Sequence, residues 1–91
     1  MANVDIYVGA LCPFCTRAKS LLRSKGVTFN EIDVTFNRAE KQAMIQRAKG
    51  GRTVPQIFVG EQHVGGCDEL YALEAAGKLD ALLEAESITS A

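Results

Sequence analysis

Apolar residues alternate with polar ones in short stretches of this chain, and recur at spacings of three and four between those stretches. In Asn3–Val8, Val4, Ile6 and Val8 share one face and Tyr7 takes the other, which predicts a strand. Phe14, Ala18, Leu21, Leu22 and Lys25 then recur at helical spacing, and Gly26 supplies a helix stop. Val27–Val34 predicts a second strand, with Val27 and Phe29 on one face, Ile32 and Val34 on the other, and a slip of period near Asn30. Asn37 opens a second helix with Glu40 as a capping-box partner, and Ala39, Ala43, Met44 and Ala48 form its thin apolar face. Thr53–Val59 predicts a third strand entered through Pro55. Gly60-Glu61 turns the chain into a short fourth strand, Gln62–Val64, making a hairpin. A third helix starts at Cys67 or Asp68, with Leu70, Leu73 and Ala76 inward and Gly77 at its end. Lys78–Glu84 adds a short helix, and Glu86–Ala91 is expected to fray.

Strand, helix, strand at the first spacing is a βαβ unit, so strands 1 and 2 should run parallel. The order β-α-β-α-β-β-α fits one α/β domain spanning residues 1–91. Its four-stranded mixed sheet takes the order 2-1-3-4, with helices on both faces. Strand 1 is then central, and its C-terminal end lies where ligand crevices gather in open α/β sheets.

Cys12-Pro13-Phe14-Cys15 stands just past that end. Cys12 falls at the helix N-cap and Pro13 at the first helical position, where its missing N–H costs nothing. A cysteine there faces unpaired backbone N–H groups and the positive end of the helix dipole. Both favour the thiolate, so Cys12 is the expected exposed nucleophile, with a pKa in the range of about 3.5–7.5 typical of activated cysteines. Cys15, one turn inside, is expected to be more buried and to resolve mixed disulfides. Zinc sites use the same C-x-x-C spacing but want four ligands, and only Cys67 and His63 remain to complete one. The βαβ context favours redox chemistry, and no metal is expected.

Composition narrows the setting. Ninety-one residues, 47% of them hydrophobic, suffice for one modest core. The net charge of −1 points to no nucleic-acid partner. Residues 1–60 carry nine Lys/Arg against four Asp/Glu, and residues 61–91 one against seven. This means either a basic surface beside the thiols with an acidic final helix, or ordinary solvated faces. Three cysteines, an odd number, do not make a fully paired secreted framework. Met-Ala-Asn-Val-Asp lacks the pattern of a signal peptide, and no apolar run approaches a membrane span. A cytoplasmic protein is the expectation.

Two further stretches could share in the chemistry. Val54-Pro55 is a candidate cis peptide, which would turn the Val54 backbone toward the crevice to pair with an extended thiol peptide. Gly65-Gly66-Cys67-Asp68 places two small residues before a helix N-terminus, suited to a carboxylate but equally to a plain turn and cap. His63 reads as a surface residue, and Phe29 and Phe58 as core.

Taken together, Cys12-Pro13-Phe14-Cys15, Thr53-Val54-Pro55 and Gly65-Gly66-Cys67-Asp68 resemble the glutaredoxin family in order and spacing. The likeness runs from Val4 to Leu83, and Gly65–Leu83 is similar to bacterial three-cysteine members. The resemblance implies a thioredoxin fold and glutathione-dependent disulfide exchange, with Cys12 as nucleophile and Cys15 as resolving thiol. It implies that Thr53 and Val54 hold the glutathione cysteinyl backbone, that Pro55 is the family's cis-proline, and that Cys67 and Asp68 receive the γ-glutamyl carboxylate, with Gly66 also at the glutathione site. It also implies a monomer acting on glutathionylated or disulfide-containing client proteins, recharged through glutathione reductase and NADPH. An alternative from another class is a glutathione-assisted iron–sulfur cluster held in a homodimer through Cys12, which the absorbance of fresh protein would reveal. Three positions depart from the pattern. Gly9 stands where the family commonly has a lysine, Leu11 replaces a small polar residue, and Phe14 replaces a tyrosine. Arg52 is the candidate stand-in for the missing cation at a glutathione carboxylate.

Overall fold

A computed structural model describes residues 3–89. Its elements are β1 (Val4–Val8), α1 (Pro13–Ser24), β2 (Asn30–Asp33), α2 (Arg38–Arg47), β3 (Gln56–Val59), β4 (Gln62–Gly65), α3 (Cys67–Ala75) and α4 (Leu79–Thr89). The strands form one sheet in the order β2-β1-β3-β4. β1 runs parallel to β2 and antiparallel to β3, and β3 runs antiparallel to β4. The expected mixed sheet and its strand order are therefore observed.

The two faces of the sheet bury separate clusters. Val4, Ile6 and Val8 of β1 pack with Ala18 and Leu22 of α1, Ile57 and Val59 of β3, Leu70 of α3, and Leu79 and Leu83 of α4. On the other face Tyr7, Val34 and Phe58 meet Met44 and Ala48 of α2. The alternation along β1 thus feeds both layers. The slip near Asn30 has a physical outcome too, because Val27 and Phe29 join the first cluster while Ile32 and Val34 join the second.

Both long strand expectations shrink. β2 begins at Asn30 rather than Val27, since its ladder opens where Asn30 meets Asp5. β3 begins at Gln56 rather than Thr53, because its pairing with β1 ends at Tyr7 opposite Gln56 and Pro55 has no N–H to extend it. Ala39, Ala43 and Ala76, expected inward, are exposed. Alanine favours helix without demanding burial, and this segment seats through Met44, Ala48 and the partly buried Ile45. The Arg47 guanidinium lies 4.1 Å over the Phe58 ring and pairs with Asp5 at 2.9 Å. Asn37 caps α2 by accepting the Glu40 N–H at 3.0 Å. Its own N–H goes to the Val34 carbonyl at 3.4 Å, so the cap comes from Asn37 alone. The final helix runs to Thr89, beyond the expected Glu84 and across part of the expected fray; Ser90 and Ala91 lie outside the described residues.

Gly26 comes after α1 at φ +74°, a left-handed value that glycine adopts without steric penalty. Just before it, Lys25 reaches Glu74 of α3 at 2.6 Å and Asp80 of α4 at 3.0 Å, with its side chain 15% exposed. These carboxylates raise the Lys25 pKa above its ordinary 10.5. A group whose folded pKa is raised stabilises the fold below its unfolded pKa and loses that contribution as pH climbs through the folded value. Lys25→Met should therefore lower the urea midpoint at pH 7, and the gap to wild type should close as pH rises past 10.5. A gap that stays constant into strong alkali would show that Lys25 acts through packing instead.

Candidate active site

α1 begins where β1 ends, and Cys12 is its N-cap. The Cys12 side chain accepts the Cys15 backbone N–H at 3.1 Å. Pro13 is the first helical residue, and the first turn, Pro13–Thr16, is made of uncharged residues. An anionic sulfur at this position meets donors and the positive helix end without a nearby acid in that turn. The two thiols are joined as a disulfide, with Cα atoms 5.2 Å apart. Cys12 is half-buried while Cys15 is 2% exposed, sealed among Ala18, Leu22 and the β1 valines. Attack from outside is therefore open to Cys12 and closed to Cys15, as expected from their positions in the helix. Cys12 is less exposed than that expectation; it packs, like Val54, against the core below the sheet's first face.

The second half of the site comes from the β3–β4 hairpin. Val54-Pro55 is cis. The Val54 carbonyl oxygen lies 3.8 Å from Cys12 Sγ. At the far end of the hairpin, Gly65 has φ +113°, and a Cβ there would come within 2.9 Å of Glu69 Oε1, so the turn into α3 requires glycine. A Cβ on Gly66 would stand 3.4 Å from the Pro55 carbonyl, so the start of α3 lies directly against the strand entry. Phe14, Thr53, Val54, Pro55, Gly66, Cys67, Asp68 and Glu69 consequently line one open groove beside the dithiol.

The groove refines several expectations. The Gly66 N–H already donates to Glu69 Oε1 at 2.6 Å. The N–H groups of Cys67, Asp68 and Glu69, first in α3, have no intrahelical acceptor and stay open at the groove. Glu69 is absent from the site residues expected from sequence, although an acid three residues past a helix start is a recognisable capping signal. Cys67 is 5% exposed and unpaired among the described residues, and burial pushes its thiol pKa up. Both its burial and the raised pKa disfavour the thiolate there. Arg52 is not in this groove. It lines a neighbouring one with Phe36, Arg38 and Lys41. His63 is exposed, yet its Nε2 sits 2.7 Å from Oε1 of the buried Gln56 and its ring stacks on Phe58.

Charge around the thiols is mixed rather than basic. Asp68 and Glu69 line the groove beside Phe14, and on the opposite side of the dithiol Lys19 shares a groove with Glu31 and Asp33, pairing with Glu31 at 2.9 Å. The cationic residues gather instead at Arg38, Lys41 and Arg52. A side chain at Gly9 would enter the space beside Val54, whose Cγ2 lies 3.2 Å from a Cβ placed there. Among the described residues no helix is long and apolar enough to cross a membrane, and no group of three or more His, Cys, Asp or Glu side chains is placed to hold a metal ion.

Comparison with known proteins decides between the redox families that share such a dithiol. The glutaredoxin family model matches residues 4–64. The chain belongs to the glutaredoxin family. It is 57% identical over 84 residues to glutaredoxin 3 of Escherichia coli, covering 92% of this chain and all of that protein. Among solved structures, the glutaredoxin of Brucella melitensis superposes with a TM-score of 0.79 at 54% identity, covering 91% of this chain and 89% of the other. A buckwheat glutaredoxin–glutathione complex superposes with a TM-score of 0.84 at 29% identity, covering 94% and 80%. This glutaredoxin has the thioredoxin fold, and its Cys12–Cys15 pair makes it a glutathione-dependent dithiol oxidoreductase.

Proposed function

We propose that glutathione lies in the groove between Phe14 and Asp68, with its sulfur at Cys12. The observation that carries this reading is the Val54 carbonyl 3.8 Å from Cys12 Sγ, on a strand entry that also lines the groove. An extended thiol peptide laid along Thr53-Val54 would pair with that backbone as an added strand. Its γ-glutamyl carboxylate would then meet the N–H groups of Cys67 and Asp68, and its ammonium the Asp68 carboxylate. Arg52, one residue before Thr53, would face the opposite carboxylate from the neighbouring groove.

The Cys12 thiolate attacks the glutathione sulfur of a glutathionylated client, and the client leaves as its thiolate. A second glutathione attacks the glutathione sulfur of the Cys12 adduct, releasing oxidised glutathione and restoring Cys12. With a protein disulfide, Cys12 forms a mixed disulfide to the client, and Cys15 attacks the Cys12 sulfur to release the second client thiolate. Two glutathiones then reduce the Cys12–Cys15 bond. Leu11, fully exposed, and Phe14, half-exposed, flank Cys12 and give clients an apolar landing. We place the protein in the cytoplasm, acting as a monomer, with glutathione reductase and NADPH keeping glutathione reduced. The odd cysteine count supports a reducing compartment.

NADPH-coupled turnover of a glutathione mixed disulfide tests the reaction, and turnover independent of glutathione would sink it. The binding mode has its own test. Asp68→Ala should raise the KM for glutathione by about three- to tenfold, the scale of one partly exposed charge-assisted hydrogen bond, with kcat nearly unchanged. An unchanged KM would move the γ-glutamyl group elsewhere.

A further inference from the structure

The link between β1 and α1 contains a conformation that its own side chain does not explain. Leu11, immediately before Cys12, has φ +52°, a region residues with a Cβ enter only where surrounding structure holds them. Its side chain is fully exposed, so the restraint must come from the backbone on either side. On the downstream side the Cys12 carbonyl accepts the Thr16 N–H at 3.2 Å, and Cys12 Sγ accepts the Cys15 N–H at 3.1 Å. The upstream anchor is 25 residues away in sequence: the Ala10 N–H donates to Thr35 Oγ1 at 2.7 Å.

Thr35 is itself fixed. Its N–H donates to Asp33 Oδ1 at 2.8 Å, and this N–H and the neighbouring Thr35 hydroxyl hold the Asp33 carboxyl below its ordinary pKa. Asp33 ends β2 opposite Val8, and the next residue, Val34, donates its N–H to the Val8 carbonyl at 2.9 Å. A hydroxyl has a single hydrogen. Because the oxygen accepts the Ala10 N–H through a lone pair, that hydrogen is left to point toward Asp33. The end of the parallel ladder is thereby tied to the loop that delivers the nucleophile.

We infer that Thr35, oriented by Asp33, is a positioning residue for disulfide exchange: its hydroxyl anchors the Ala10 N–H, keeps Leu11 left-handed, and aims Cys12 Sγ at the Cys15 N–H and the glutathione groove. This role rests on Cys12 being the nucleophile. The charged groups lining the grooves at and beside the dithiol are Lys19, Glu31 and Asp33 in the one that includes Cys12, and Asp68 and Glu69 in the one beside Phe14. None of them is removed by changing Thr35.

The test compares the full chain with Thr35→Val, Thr35→Ser, Leu11→Gly and the double variant Thr35→Val/Leu11→Gly. Three quantities are measured: the pH dependence of Cys12 alkylation by iodoacetamide, kcat/KM for a glutathione mixed disulfide, and the urea midpoint. Thr35→Val should lower kcat/KM by about tenfold, the scale of a sub-ångström misplacement of a reacting group, and move the alkylation midpoint to higher pH. Thr35→Ser, which keeps the hydroxyl, should restore both. Glycine enters the left-handed region without a restraint, so the penalty of Thr35→Val should shrink in the Leu11→Gly background. Equal activity and an equal alkylation profile in Thr35→Val would overturn the inference. So would a serine variant as poor as valine, or the same penalty with glycine at position 11. Should Thr35→Val fail to fold, Thr35→Ala takes its place, removing the hydroxyl without changing any charge, with the same loss expected. Absence of exchange in the wild-type chain would instead overturn the assignment of Cys12, a result distinct from any confined to the Thr35 variants.

Discussion

Replacing Cys12 by serine should abolish deglutathionylation and protein-disulfide reduction together while leaving the fold intact. The structure separates the two consequences. Both reactions pass through a disulfide to the Cys12 sulfur, and a hydroxyl oxygen forms no such bond. The helix should survive, because the Cys12 side chain accepts the Cys15 N–H at 3.1 Å and serine is a favoured N-cap acceptor. The urea midpoint should accordingly stay close to that of the reduced wild type, with any change below about 1 kcal/mol. Coupled turnover with glutathione reductase and NADPH reads the first part, and urea unfolding the second. Turnover persisting at about a tenth of the wild-type rate, a loss of only about 1.4 kcal/mol, would hand the nucleophile's role to another thiol.

The second large effect is a split. Cys15→Ser should keep deglutathionylation of small mixed disulfides and lose dithiol reduction of protein disulfides, leaving clients trapped on Cys12. Cys15 is 2% exposed, so it meets only a sulfur already held by Cys12, and its Cα at 5.2 Å from that of Cys12 lies within the range that disulfide geometry requires. Serine would put a hydroxyl among Ala18, Leu22 and Val8, at a cost of about 1–3 kcal/mol if it finds no partner. Cys15→Ala is therefore the control that removes the thiol without adding a polar group. Loss of both activities in both variants would show that Cys15 is needed for the Cys12 chemistry itself, and a client adduct detected by mass would support the resolving role.

Much of the architecture is legible in the sequence because its signals are local. Alternation in Val4–Val8, Asn37 before a helical run and Gly26 after one each act through a residue's own backbone or its nearest turn. The dithiol is legible for the same reason: a strand, a short turn and Pro13 are enough to place Cys12 at a helix start. Pattern and structure part where burial decides. Ala39, Ala43 and Ala76 fit an apolar stripe yet face solvent, since alanine satisfies helix propensity on either side. Leu11 and Phe36, residue types usually found inside, are wholly exposed. β2 and β3 are shorter than their apolar runs because a strand ends where its neighbour stops offering partners, which depends on register against β1.

Periodicity in the chain was enough to specify the order of elements, the two-sided sheet and the pair of thiols at the end of its central strand. A helix N-terminus acts on a cysteine through the nearest turn alone, so that part of the chemistry is local as well. Which donors remain for a ligand depended on packing between distant segments. The Glu69 carboxylate takes the Gly66 N–H and leaves those of Cys67, Asp68 and Glu69, while Arg52 turns into a separate groove. Packing also decided what Thr35, a residue of no special promise in the sequence, touches: it reaches across from just past the end of β2 to the loop before Cys12. That contact joins groups 25 residues apart, and such pairings are set by how strands and loops pack, which no local pattern encodes.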